Sequence, residues 1–464
     1  MTYSSSIRTA KSVFFLLAIM LCGQWAWAQS TSISPYSRFG LGEIHDGTQT
    51  EQFSMAGLSI PVLDPFAFNA ANPATYHHIA KPIFSVGMRY QIMSLHTENQ
   101  SQMNQNHVIN NLAVAFPLAN KRWGLAAGVM PFSSMGYSIV DESPIPESNE
   151  SARMEYTGVG GLSRAYLGNS YRLFEKEDTL GNKSSLSVGA NVSYIFGNLD
   201  ETRKLIFPFG GFGYNFRAQN RIRVDDLGFD FGLMYAFHLR KMTEKDRSFI
   251  RMNIGLTYRL PINLNTRGSM LAETFTVGAT TGAENAKDTV YYNDYGSGTT
   301  YVPASYGVGV GLDMVNRKSQ KWFFGLEYRT ELWSESSRNI GDVVFTDEMG
   351  NSQRVVFGMD LMPNYRASRK VLEKTRYRMG VRYEQLSLIL QDQQLEAYGI
   401  SFGVGIPISL KRPQTPSTFN IGVEMGRRGT TADNLLREDY VMISFGLTLM
   451  PHFRNNWFVQ RKYD

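Results

Sequence analysis

Leu227-Gly228-Phe229-Asp230-Phe231-Gly232-Leu233-Met234-Tyr235-Ala236-Phe237-His238 decides the reading of this chain. Large apolar side chains occupy every odd position, and small or polar ones mostly fill the even positions. Successive side chains leave a strand on opposite faces, so a period of two means a strand with one greasy face. The same pattern recurs in Phe84, Val86, Met88 and Tyr90, in Ile250, Met252, Ile254, Leu256 and Tyr258, and in Val441, Ile443, Phe445, Leu447 and Leu449. Between Ile83 and Leu449 roughly fourteen such runs can be placed, an even number of the kind that single-chain transmembrane barrels use. The expected fold is all-β: a 14-stranded antiparallel transmembrane barrel, apolar outside and polar inside.

The approximate runs are 83–95, 107–117, 122–131, 153–173, 184–197, 221–239, 248–261, 303–315, 320–332, 353–363, 374–385, 396–410, 417–427 and 438–449. The connections sort by parity. Odd ones, such as Thr97–Asn106, Asp141–Ala152, Leu199–Asn220, Asn263–Val302 and Glu331–Gln353, read as long polar loops, whereas even ones, such as Leu118–Arg122, Leu239–Arg247, Asn316–Lys321 and Leu410–Pro416, read as tight basic turns. Long outside loops and short periplasmic turns place both chain ends in the periplasm. Tyr90, Trp123, Tyr258, Trp322, Tyr328, Tyr383 and Tyr398 stand near run ends, where interfacial girdles belong. A soluble sandwich would bury its apolar face between two sheets without such girdles.

The amino terminus reads as a secretory signal. Arg8 and Lys11 precede the apolar run Val13–Leu21, and Ala26-Trp27-Ala28 supplies a cleavage site, so residues 1–28 leave and the chain starts at Gln29. The single cysteine, Cys22, leaves with them, which excludes disulfide and thiol chemistry in the exported chain. Downstream no window approaches the ~20 apolar residues of a spanning helix. The formal charge of +5 falls to +3 on removal of Arg8 and Lys11, too little to suggest a nucleic-acid partner. Hydrophobic content of 43% looks soluble, but a barrel dilutes its hydropathy with a polar lumen and loops.

Residues 29–81 are rich in Gly, Pro, Ala and Asn and lack a sustained period of two, so they read as an N-terminal hatch that plugs the barrel formed by 82–450, with 451–464 as a periplasmic tail. Two strings mark the hatch: Ser34-Pro35-Tyr36-Ser37-Arg38-Phe39-Gly40-Leu41-Gly42, and Met55-Ala56-Gly57-Leu58-Ser59-Ile60 leading to Asp64-Pro65-Phe66-Ala67-Phe68-Asn69-Ala70-Ala71-Asn72-Pro73-Ala74. Together they resemble the amino-terminal hatch of the FadL-type superfamily, which includes fatty-acid transporters, aromatic hydrocarbon channels and PorV-type secretion proteins; Phe66 departs from its usual small polar residue. The first string is similar to the opening of a subgroup of outer-membrane proteins with no assigned activity. The resemblance implies a fourteen-stranded barrel and plug roles for Arg38, Asp64, Asn72, Pro73 and Ala74.

Charges expected on the inward face are Arg89, Asp230, Arg251, Arg259, Glu327, Arg329, Arg354, Asp360, Arg376, Arg378, Arg382, Glu384 and Glu424. Eight arginines against five acids imply mutual pairing with a cationic excess. Pro131 closes the third run and removes a ladder N–H, so the wall should bulge or open there. By resemblance to FadL-type transporters it marks a lateral gap. Catalysis finds no support: His77-His78 lacks metal-ligand spacing, and Gly307-Val308-Gly309-Val310-Gly311 sits on a strand and opens no helix. No cofactor or metal is expected. The resemblance gives passive uptake of a small hydrophobic or amphipathic ligand in the outer membrane as the first function. The alternative is a non-transporting scaffold with envelope protein partners, in type IX secretion or outer-membrane protein assembly.

Overall fold

The computed structural model describes residues 33–450 except 99, 119–120, 147–149, 209–212, 244–245, 279–280, 341–342, 346–347, 368–369 and 409–416. The expected signal peptide and tail lie outside these residues. Fourteen wall strands close into a barrel. They are β1 (Ile83–His96), β2 (Ser101–Leu118), β3 (Trp123–Pro144), β4 (Ser151–Glu177), β5 (Lys183–Ile206) and β6 (Asn215–Arg240). Next come β7 (Phe249–Arg259, continuing as Ile262–Val277) and β8 (Glu284–Val302, continuing as Ser305–Val315), each interrupted beside a proline, Pro261 or Pro303. The set ends with β9 (Lys321–Glu331), β10 (Ser352–Met362), β11 (Arg376–Leu390), β12 (Gln393–Pro407), β13 (Thr418–Gly429) and β14 (Arg437–Leu449). Every neighbour pair is antiparallel, and β14 returns to β1 from Arg437 opposite His96 to Leu449 opposite Phe84. Closure pairs the wall backbone all round, apart from the upper part of β2 and β3, whose ladder stops at Leu112 and Val129.

The odd connections gather at one rim, here called the upper, and the even ones at the lower. The outward series is exposed as its alternation requires: Phe84, Val86 and Met88 on β1, Leu227, Phe229 and Phe231 on β6, and Val441, Phe445 and Leu449 on β14. Tyr258 stacks on Tyr306 with centroids 5.0 Å apart near the upper rim, and Trp123 meets Tyr171 edge-on at 5.3 Å near the lower. In the lower turn after β6, Asp246 accepts from the Ser248 N–H at 2.9 Å and pairs with Arg317 at 2.9 Å. The bond from Arg317, then those from Ser248, hold its carboxyl below the usual range.

Two expectations need correction. The stretches 199–220 and 263–302 are not irregular loops: most of their length extends β5 to β8 past the upper girdle as paired hairpins. Water bathes their outer faces, so the apolar series that marked membrane strands fades there although the ladder continues. The third strand does not end at Pro131; a bulge lies between Pro131 and Ser133, and β3 runs on to Pro144. The described residues run from one rim to the other. Ile33 accepts a hydrogen bond from Asn104 near the upper rim, whereas Met450 follows β14 at the lower.

Candidate functional site: the occupied lumen

Residues 33–82 form no wall strand, and their backbone lies against inward-facing side chains. Asn72 caps the turn Pro73–His78 by accepting from the Ala74 N–H at 3.1 Å, and its amide donates to Ile60 O at 3.0 Å and Leu233 O at 3.4 Å. This turn passes so close to the wall that a Cβ on Gly189 would meet the Pro73 carbonyl carbon at 2.4 Å, and earlier in the segment Pro61 stands where a Cβ on Gly309 would meet its Cδ at 2.5 Å. The Gly307-Val308-Gly309-Val310-Gly311 run is therefore small on its inner face because Ile60 and Pro61 occupy that space. Arg38 stands over the Tyr156 ring at 5.7 Å.

The inward charges are held in clusters, many tied to this segment. Arg376 bridges Asp64 and Asp360; Arg378 joins Asp360 at 2.7 Å and Asn420 at 3.0 Å, and Asn420 donates to Glu51 at 2.9 Å. Arg354 pairs with Asp46 and donates to Ala56 O at 3.1 Å; Arg329 lies 3.5 Å from Asp46 and 3.1 Å from Glu327. Glu327 accepts both the Ser59 and Ile60 N–H groups at 2.8 Å, so one buried carboxylate fixes a bend of the segment. Arg428 spans Glu43 at 3.0 Å and Glu438 at 2.6 Å. Within the wall, Asp230 takes Arg164 at 3.2 Å and Arg259 at 3.1 Å, Arg251 binds Asp313 at 2.7 Å and Leu63 O at 3.2 Å, and Arg382 binds Glu424 at 2.8 Å with Glu384 at 3.8 Å. Arg89 sits over the Phe53 ring at 4.5 Å.

The excess of cations read from the sequence is thus offset by Asp64, assigned there to the plug, and by acids that reading did not assign: Glu43 and Asp46 from the segment, and Asp313 from β8. Asp313 carried a usable signal, since it continues the inward parity of Gly307, Gly309 and Gly311. Arg164 and Glu438 also lay on assigned runs, but Glu43 and Asp46 belong to a stretch without periodicity, so nothing local pointed to them.

Cavities remain between the segment and the wall, and two of them carry several charged groups. One of about 170 Å³ is lined by Tyr36, Asp46, Glu331, Arg382, Glu384 and Arg428, among others. One of about 80 Å³ is lined by residues that include Arg89, Asn106, Asn110, Pro131, Arg354 and Glu424. Both have mixed linings, in which charged groups stand beside apolar ones such as Ile44 and Met442. Among the described residues, no three His, Cys, Asp or Glu side chains gather as a metal site.

Known structures share this architecture. The P. putida toluene transporter TodX is 15% identical, with 88% of this chain and 100% of that chain covered at a TM-score of 0.53. A Pseudomonas aeruginosa FadL homologue is also 15% identical, with 87% and 98% covered at a TM-score of 0.50. These likenesses establish a FadL-type barrel fold. No curated protein matches the sequence. A family model described as BamG matches residues 10–464, nearly the whole chain, and the chain therefore belongs to the BamG family.

Proposed function

We propose that this chain is a sealed, non-transporting barrel in the bacterial outer membrane, an accessory scaffold of an envelope machine for outer-membrane protein assembly or secretion. Its segment 29–81 is the plug, the barrel spans 82–450, and the lower rim with the carboxyl end faces the periplasm. The lumen carries this reading. A hydrocarbon channel needs an apolar chamber, yet the cavities beside the plug are small and charged, and the plug is held by Arg–carboxylate clusters whose rupture would leave buried charge. The BamG family name points the same way. Uptake of a small hydrophobic ligand is the second reading, favoured by the shared fold with a toluene transporter.

Two measurements on one preparation decide between them. The full chain in planar bilayers should conduct poorly, whereas deletion of Ser34 to His78 should leave a heat-modifiable barrel that conducts freely, because wall hydrogen bonding does not depend on the plug. Affinity purification from membranes in mild detergent should recover a stoichiometric protein partner. Uptake of a labelled fatty acid or toluene that depends on the chain, with no partner recovered, would overturn the scaffold.

A further inference from the structure

Wall strands β2 and β3 separate halfway up the barrel. Their ladder runs from Leu118 opposite Trp123 to Leu112 opposite Val129 and stops, although β2 extends back to Ser101 and β3 forward to Pro144. Above that level β2 pairs with β1 alone among the described strands. After its bulge, β3 carries Phe132, Ser133, Ser134 and Met135 into the buried interior. There Glu43–Ile44 lies antiparallel to Ser134 and Ser133, and the His45 N–H donates to Phe132 O at 2.9 Å. The edge of β3 thus already accepts an extended segment from inside, while the facing edge of β2 borders a seam.

The two faces of the seam specify what fits it. On the outer face, above the last closed pair Leu112–Val129, β2 exposes Ile109 and Met103 with Gln105 and His107 between them. On the inner face lies the 80 Å³ cavity, where Arg89 Nε has no hydrogen-bond partner among the described residues. Hydrocarbon would meet the outer face but satisfy neither the edge nor the arginine. An extended strand with alternating apolar and polar side chains meets both, and a carboxylate on its inner side would complete Arg89.

We propose that the seam between β2 and β3 is a docking site for an amphipathic transmembrane β-strand of a partner outer-membrane polypeptide, added antiparallel to β2 above Leu112. This rests on the scaffold reading and names its contact surface. The chain's own β14 sequence, Glu438–Leu449, has the required alternation and acidic start, so a synthetic peptide of that sequence serves as probe.

The full chain in detergent is prepared with a photoreactive residue at Ile109 or at Leu326, an exposed position on the fully paired β9. The peptide should cross-link severalfold more at Ile109, saturably, and N-methylation of its backbone should abolish this at alternate residues only. Equal adducts at both positions, a lipid or detergent adduct in place of peptide, or indifference to N-methylation would overturn the seam. A partner complex recovered from membranes alongside a failed peptide would reject the docking site and leave the scaffold reading standing. Peptide capture with no recoverable complex would reject the scaffold reading and, with it, this role for the seam.

Discussion

The membrane belt and the tower above it are built from the same strands with opposite chemistry. On β5 the belt shows Val192, Tyr194 and Phe196 outside, with Asn191 and Ser193 buried inside; the inner face turns apolar at Ile195, and beyond Phe196 Leu199 is buried and Asn198 lies on the outer face. On β6 the order is reversed in sequence: Arg221 and Arg223 outside over buried Ile222 and Val224, then Leu227, Phe229 and Phe231 outside over Gly228 and Asp230. The ladder between these strands runs unbroken from belt to tower, from Ser185 opposite Ala236 to Leu205 opposite Phe216. Only the surroundings change. Lipid draws apolar groups outward in the belt, and water drives them inward in the tower, where Leu199, Ile222, Val224, Leu264 and Ile340 form a core with Phe132, Leu162 and Trp333.

The largest test of this contrast is Phe231→Arg. A cation on the lipid face costs roughly 2–4 kcal/mol at the midplane and less toward the interface, and Phe231 faces lipid opposite the girdle residue Tyr258, so the variant should assemble less well by heat-modifiable mobility. Asp230→Asn, whose side chain faces Arg164 and Arg259 inside, should assemble normally. Equal assembly of the two variants would break the assignment of faces.

The belt's polar interior should matter through the plug. Glu327→Gln removes the charge that holds the Ser59 and Ile60 N–H groups and Arg329, at a cost of roughly 1–3 kcal/mol for buried charge-assisted bonds. The barrel should still insert, but its bilayer conductance should rise toward that of the plug deletion. An unchanged conductance would show that the remaining clusters suffice.

These contrasts also explain what the sequence disclosed. Strands in the belt were legible because lipid imposes period two on residues such as Leu227, Phe229 and Phe231 without reference to distant partners. In the tower the apolar phase moves to the other face between Val224 and Leu227, so residues 215–220 read as loop although they belong to the same strand. The inward arginines were legible by parity alone. Their partners Glu43 and Asp46 were not, because their positions depend on how a segment without periodicity threads the lumen. Pro131 signalled that the wall would bulge or open, but nothing local showed that the ladder between β2 and β3 would stop at Leu112 and Val129.

A smaller effect is expected in the tower core. Ile222→Val deletes one buried methylene, which typically costs about 0.5–1.5 kcal/mol. Because the tower stands outside the belt, the loss should appear as faster cleavage of the tower by added protease, with insertion and heat-modifiable mobility unchanged. A loss of insertion instead would mean that tower and belt fold as one unit.

The smallest effect fixes the boundary between the regions. Arg223 is exposed on the tower's outer face, directly opposite Arg267 on β7, and like charges facing across a ladder repel. Arg223→Phe removes that repulsion and leaves an aromatic in water, so the two changes should nearly cancel within about 0.5 kcal/mol, as surface substitutions usually do. The variant should insert and melt like the parent, although it is the reverse of the substitution that disables the belt at Phe231. If Arg223→Phe instead stabilises the chain in bilayers but not in detergent, lipid reaches Arg223, and the change of phase between Val224 and Leu227 does not mark the membrane surface.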